Sequence, residues 1–256
     1  TKNSIIARAL SYFHSFLVII FRSLLARLLH LEERMTTNQS QAVRISDFQS
    51  GLSSDATVLS AESSMVTEED RYRSGVYGLL AGLLRSAPNQ AALDQVAGFA
   101  SVEPSRGEMA LAMSMLGLAA RTCSPESVND EFHDLFIGLG RGELVPYGSW
   151  YITGFLMEKP LGRLRDDLAQ LGFQRNDDVR EPEDHVAALC EVMLMLIDEG
   201  ASLEIQANFF NTHMADWIRR FFIDLSEAKS AVFYRGVGRF GAAFIELEES
   251  YQTMEL

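Results

Sequence analysis

Two stretches of this chain carry side chains that could do chemistry. PYGSWYITGF, residues 146–155, sets Tyr147, Trp150 and Tyr151 among the small residues Gly148 and Ser149. NDDVREPEDH, residues 176–185, crowds Asp177, Asp178, Glu181, Glu183 and Asp184 around a single Arg180 and ends in His185. Tyr and Trp join an apolar body to a polar tip, a combination suited to a half-wet groove. Carboxylates pair with arginine, bidentately where geometry allows. An acidic rim beside aromatic side chains therefore suits a peptide that is both basic and apolar. The plainer alternatives are a loop leading into a helix whose aromatics plug the core, and a solvated loop whose acids complement the start of the next helix. The second accounts for Glu183 and Asp184 but gives no reason for Asp177 and Asp178.

Other chemistries find less support. A di-metal helical bundle needs two Glu-x-x-His pairs and two further Glu, all facing inward. Asp130-x-x-His133 is one imperfect match, and Glu181 with His185 is a four-residue spacing rather than three. HExxH is absent, so no metal ligand is assigned. His133 and His213 are expected to be helix residues bonded to neighbouring backbone or carboxylate. The glycines of GLGRG (138–142) follow no strand and match no phosphate-binding fingerprint, which leaves a hinge ahead of the aromatic block. No GxSxG elbow is present. The methionines of EVMLML are expected to be core.

Helices must position these groups. Thr67, with Asp70 three residues on, is an N-cap signature. Tyr72, Val76, Leu79, Leu80, Leu83 and Leu84 then share one face. Met109, Met113, Leu116 and Ala120 form a second stripe. Ser124 and Pro125 open a third helix, with Val128, Phe132, Leu135 and Phe136 on its buried side. The pattern predicts further helices over 152–171, from Pro182 to a stop at Gly200, and over 206–225, where Phe210, Met214, Trp217, Phe221 and Leu225 repeat at 3–4 spacing. Alternating strands are absent. The expected class is all-α: a single compact helical domain, residues 66–256, of two helix groups joined by a hinge loop at about 174–185.

The N-terminal part differs. Residues 5–31 are strongly apolar but interrupted by Arg8, Arg22 and Arg27, and the charge-free run from Ala9 to Phe21 is 13 residues. That is short of the roughly 20 needed to span a membrane, so stable membrane insertion is not expected. No A-x-A-like site follows that would mark a cleaved leader. An interfacial amphipathic helix is one reading. The other takes Met35 as a start and residues 1–34 as an extension that is not native. Residues 35–65 are Ser-rich, with sparse apolar side chains, and read as a flexible tail.

Composition limits the partners. Lys+Arg number 22 against 35 Asp+Glu among 256 residues, a formal charge of −13. Residues 35–256 hold 17 of those bases and 33 of those acids. Nucleic acid needs the opposite sign, whereas a basic partner would be attracted. Cys123 and Cys190 are isolated from each other and form no zinc or disulfide pattern. A reducing compartment follows.

GELVPYGSWYITGFLMEKPLGRLR, then EPEDH, then QANFFNTHMADWIRRFF resemble, in order, the conserved blocks of the TorD/DmsD/NarJ family, cytoplasmic chaperones of molybdenum enzymes in the dimethyl sulfoxide reductase superfamily. The likeness runs from about Glu131 to Phe222, extends loosely to Thr67 and does not reach residues 1–64. It implies an all-helical fold and a cytoplasmic protein with neither catalysis nor a cofactor of its own. Its partner would be the apo form of a molybdoenzyme catalytic subunit and its twin-arginine leader peptide, held until the molybdenum cofactor is inserted. By motif, Tyr147, Ser149, Trp150 and Tyr151 fall in one client-binding block, and Glu181, Pro182, Asp184 and His185 in the other. EKPLGRLR and EPEDHVAALCEVM look most like members that accompany formate dehydrogenases. The hinge-like loop makes a domain-swapped dimer the alternative to a monomer. Two other functions compete with this one: a helical metal-dependent enzyme, and a membrane-associated adaptor acting through residues 5–31.

Overall fold

The computed structural model describes residues 67–139, 141–173 and 180–255. The expectations for residues 1–34 and 35–65, for Asp177 and Asp178, and for 174–179 of the hinge lie outside the described residues. Among the described residues ten α-helices run in order: α1 (Glu68–Arg85), α2 (Gln90–Ala97), α3 (Glu108–Thr122), α4 (Pro125–Phe132), α5 (Gly148–Thr153), α6 (Lys159–Gln170), α7 (Val186–Asp198), α8 (Leu203–His213), α9 (Ile218–Glu227) and α10 (Phe233–Glu255). No strand occurs among the described residues. One antiparallel bridge joins Tyr147 and His185.

The caps act where side-chain chemistry places them. Thr67 Oγ1 accepts from the Asp70 N–H at 3.0 Å, and Asp70 Oδ2 accepts from the Thr67 N–H at 3.1 Å. Ser124 caps α4 in the same reciprocal way with Ser127, and Pro125 occupies the first turn, where a missing N–H costs nothing. Helix α4 then widens into a π-turn over His133–Ile137.

Packing crosses the chain from end to end. Helix α1 lies along α7, which follows it far along the sequence, while α10 lies against both α9 and α3. One continuous core results, running from Tyr72 to Ile245. Each large apolar side chain that it fully buries contributes about 1.5–3 kcal/mol. Close approach depends on small residues: a Cβ on Gly241 would lie 2.3 Å from the Phe222 ring. A buried polar knot joins α1, α8 and α10. Arg73 donates to Glu248 from Nε at 2.9 Å and Nη2 at 2.6 Å, and from Nη1 to Gln206 Oε1 at 2.8 Å.

Four expectations need correction. The helix predicted over 152–171 is two, because Gly154 takes the left-handed conformation (φ 82°) as the C-cap of α5, and the chain turns before Pro160 starts α6. The helix expected from Pro182 starts at Val186, with His185 as its N-cap, since the backbone ahead of it is bridged to the aromatic block instead. The pattern over 206–225 also divides: Met214–Trp217 leave helical geometry between α8 and α9, although all five stripe residues remain buried. Helix α10 was not predicted, yet Phe233, Val237, Phe240 and Phe244 fill the core at helical spacing. His213 meets its expectation, with Nε2 2.8 Å from Asp167 Oδ2.

Candidate functional site

The two chemically suggestive stretches meet. The Pro146 carbonyl accepts from the Val186 N–H and the Asp184 carbonyl from the Gly148 N–H, both at 2.9 Å. These bonds flank the Tyr147–His185 bridge and clamp the start of α5 beside the start of α7. Asp184, 3% exposed, completes the clamp: its Oδ2 accepts from the Ser149 N–H at 2.8 Å. A carboxylate at a helix start meets both free N–H groups and the positive end of the dipole. Ser149 is fully buried beneath it.

His185 is buried too. Its Nδ1 accepts from the Ala187 N–H at 3.1 Å, so the ring caps α7. Burial pushes its pKa down to about 4, opposed by nearby Glu181 and reinforced by Arg85. A neutral ring, edge-on to Tyr147 with centroids 5.1 Å apart, is the result at neutral pH. Asp184, His185 and Ser149 therefore set the positions of their neighbours and have little surface with which to touch a partner.

The neighbours they position are accessible. Tyr147 is half-buried and donates from its hydroxyl to the exposed Glu181. Burial, followed by that carboxylate, raises the phenol's pKa. Pro182 is half-buried beside it. Trp150 is half-buried with the Arg141 guanidinium 5.0 Å from its ring centroid. Tyr151 donates to Asp224 Oδ2 at 3.0 Å, and burial, then this acid, raises its pKa.

Four positioning groups were not singled out from the sequence. Trp217, 2% exposed, lies under the site: its indole is 5.5 Å from the Tyr151 ring and donates to the His213 carbonyl at 2.8 Å. A Cβ on Gly148 would come within 3.1 Å of that indole, which is why the aromatic block needs glycine there. Glu143, at the head of GELVPYG, accepts from the Lys229 and Ser230 N–H groups at 2.7 and 3.0 Å. Burial opposes its ionisation, but these donors prevail and hold its pKa below the usual carboxylate range. Asp224 and Asp167 anchor Tyr151 and His213. Their signal would have been acids facing aromatic tips, which only packing makes visible. The three blocks, separated by tens of residues, thus form one unit: an aromatic rank, an acidic loop clamped to it, and a tryptophan floor. Among the described residues no group of three or more His, Cys, Asp or Glu is placed to hold a metal ion. No helix among them is long and apolar enough to cross a membrane.

Known proteins resemble this chain. The family model described as nitrate reductase delta subunit matches residues 103–223. The chaperone protein TorD of Vibrio atlanticus is 26% identical over 150 residues, 54% of this chain and 70% of that protein. TorD of Vibrio cholerae is 28% identical over 130 residues, covering 46% and 59%. TorD of Aliivibrio fischeri is 24% identical over 212 residues, covering 74% and 99%. A solved redox enzyme maturation protein from Archaeoglobus fulgidus aligns with 68% of this chain and 93% of its own, at 18% identity and a TM-score of 0.45. The sequence relatives are named as chaperones, so the metal-dependent enzyme reading gives way. The family match covers every residue of the clamp and its tryptophan floor, and over that stretch this chain is similar to the nitrate reductase delta subunit family, and overall to the TorD chaperones.

Proposed function

We propose that the protein is a cytoplasmic chaperone that binds the twin-arginine leader and the apo form of a molybdoenzyme catalytic subunit, with a formate dehydrogenase as client. One observation carries this reading. Half-exposed Tyr147, Trp150 and Tyr151 stand beside exposed Glu181 on a frame in which Asp184 and His185 accept from the backbone at the starts of α5 and α7. Such a face offers aromatic surface and a carboxylate to a ligand at little ordering cost. A leader brings arginines and then an apolar run, the complementary chemistry. Residues 67–256 carry 16 Lys+Arg against 30 Asp+Glu, which favours encounter with a basic segment. The client assignment rests on the sequence likeness of EKPLGRLR and EPEDHVAALCEVM to formate dehydrogenase-associated members. Holding the client until its molybdenum cofactor is inserted is the role that follows.

The test is capture from native cytoplasm with the full chain as bait, read by mass spectrometry. The expected prey is a formate dehydrogenase catalytic subunit still carrying its leader. A different leader-bearing molybdoenzyme would replace the client assignment, and capture of no molybdoenzyme would remove the chaperone reading. In titrations with that leader, Glu181→Gln and Trp150→Ala should each weaken binding roughly tenfold, the size of one lost charge-assisted hydrogen bond or buried aromatic contact. Unchanged affinity in both would place the leader elsewhere on the molecule.

A further inference from the structure

The end of α5 and the turn that joins it to α6 hold four large apolar side chains in water. Ile152 is 46% exposed, Phe155 68%, Leu156 47% and Met157 73%. Isolated exposed apolar residues are ordinary, whereas a contiguous group points to a partner. This turn is also held in shape. Gly154 donates to the Trp150 carbonyl at 2.8 Å, and Thr153 Oγ1 accepts from the Phe155 N–H at 3.2 Å. Met157 takes a positive φ of 60°, the one such non-glycine among the described residues. That conformation costs a β-carbon-bearing residue about 1 kcal/mol. Leu161 and Leu164 of α6 are buried and fasten the far side.

Resting on the leader-binding reading above, we infer that this ledge, Ile152 with Phe155–Met157, docks the uncharged apolar run that follows the arginines of the client leader. Charge distribution selects that occupant. From Tyr147 to Met157 the chain carries no charged side chain, so the four ledge residues themselves offer only apolar surface, and the first charges, Glu158 and Lys159, lie at its far edge. The exposed carboxylate of Glu181 is at the opposite end of α5, hydrogen-bonded to Tyr147. Helix α5, six residues and about 9 Å long, separates the two ends. A segment with arginines first and an apolar run a few residues later matches that order: guanidinium at Glu181, apolar side chains over the ledge. The half-buried Trp150 and Tyr151 bridge the interval.

Two fluorescein-labelled peptides test this on the full chain. One carries two adjacent arginines and then a run of leucine and alanine; in the other, serine replaces leucine. The intact protein should bind the leucine peptide about tenfold more tightly than the serine peptide. The double variant Phe155→Ser/Met157→Ser should lose that preference, while its residual affinity for the serine peptide and its melting temperature stay unchanged. Retention of the preference in the double variant would overturn the ledge and leave the leader reading standing. If the intact protein binds neither peptide, the leader reading itself fails and the ledge with it. A photo-crosslinking p-benzoylphenylalanine in place of Phe155 identifies the occupant directly. Linkage to the leucine run supports the inference, whereas linkage to residues 5–31 of this chain or to a second copy, with none to the peptide, overturns it.

Discussion

Two of the turns that join consecutive helices, α9 to α10 and α5 to α6, are built for opposite ends. Between α9 and α10, every backbone N–H from Lys229 to Tyr234 has an acceptor. Glu143 takes Lys229 and Ser230, the Ala228 carbonyl takes Ala231, and Glu131 takes Val232, Phe233 and Tyr234 at 2.7–3.0 Å. Between α5 and α6, local bonds fix the backbone, but the side chains are left in solvent. The first turn donates its N–H groups to two carboxylates from 86 to 103 residues away. The second holds Met157 at positive φ and hides none of its apolar groups. One turn serves the fold, and the other is free to serve a partner.

That contrast can be broken at its stable side first. Glu131→Ala would leave the first three N–H groups of the α10 start without their acceptor inside the protein, and about 3 kcal/mol of stability should be lost in urea unfolding. A change under 1 kcal/mol would mean that solvent replaces the carboxylate and that the turn is not the fixed point described here. Glu131→Gln, which keeps one acceptor oxygen, should fall between.

The clamp beneath the aromatic rank comes next. His185 ionises in the folded protein only near pH 4, against about 6.5 when unfolded. Between those values the unfolded chain binds a proton that the native state refuses, so stability is lost as pH falls from 6.5 toward 4. Burial lowers His213 as well, despite its Asp167 partner, so it acts in the same direction. The loss in unfolding free energy from pH 7 to pH 4.5 should be roughly 2 kcal/mol smaller in His185→Gln than in the parent chain. Equal losses would show that His185 is open to protons in the native state.

The smallest effect belongs to the exposed turn. Met157→Gly removes the positive-φ penalty while adding unfolded-state entropy, and the two nearly cancel. The melting temperature should stay within a few degrees of the parent or rise. A marked fall would mean that Met157 packs for stability, and the division between the two turns would dissolve.

Much of the frame was legible in the residues themselves. The caps at Thr67 and Ser124 depend on residues close in sequence, and the stripes of α1 and α3 depend on helical periodicity, so local reading found them. Boundaries failed where a distant contact outweighed local pattern. The apparent helix over 206–225 breaks so that Trp217 can lie beneath Gly148 and Tyr151. The start of α7 is delayed to Val186 because Asp184 and His185 are engaged with the aromatic block.

The site divides along the same line. Residue types alone determined an all-helical acidic protein with an aromatic block, an acidic block and a motif likeness joining them. They did so because periodicity, charge count and local motifs are properties of the chain itself. Which member of each block faces a partner was decided only by tertiary structure. Asp184, His185 and Ser149 looked as available as Glu181 and Trp150, yet the α5–α7 clamp buries the first three and leaves the other two accessible. Packing also decided that ITGFLME, which reads as the apolar face of a continuous helix, would end its helix at Gly154 and stand in water. A side chain's exposure depends on what covers it, and those neighbours come from elsewhere in the chain.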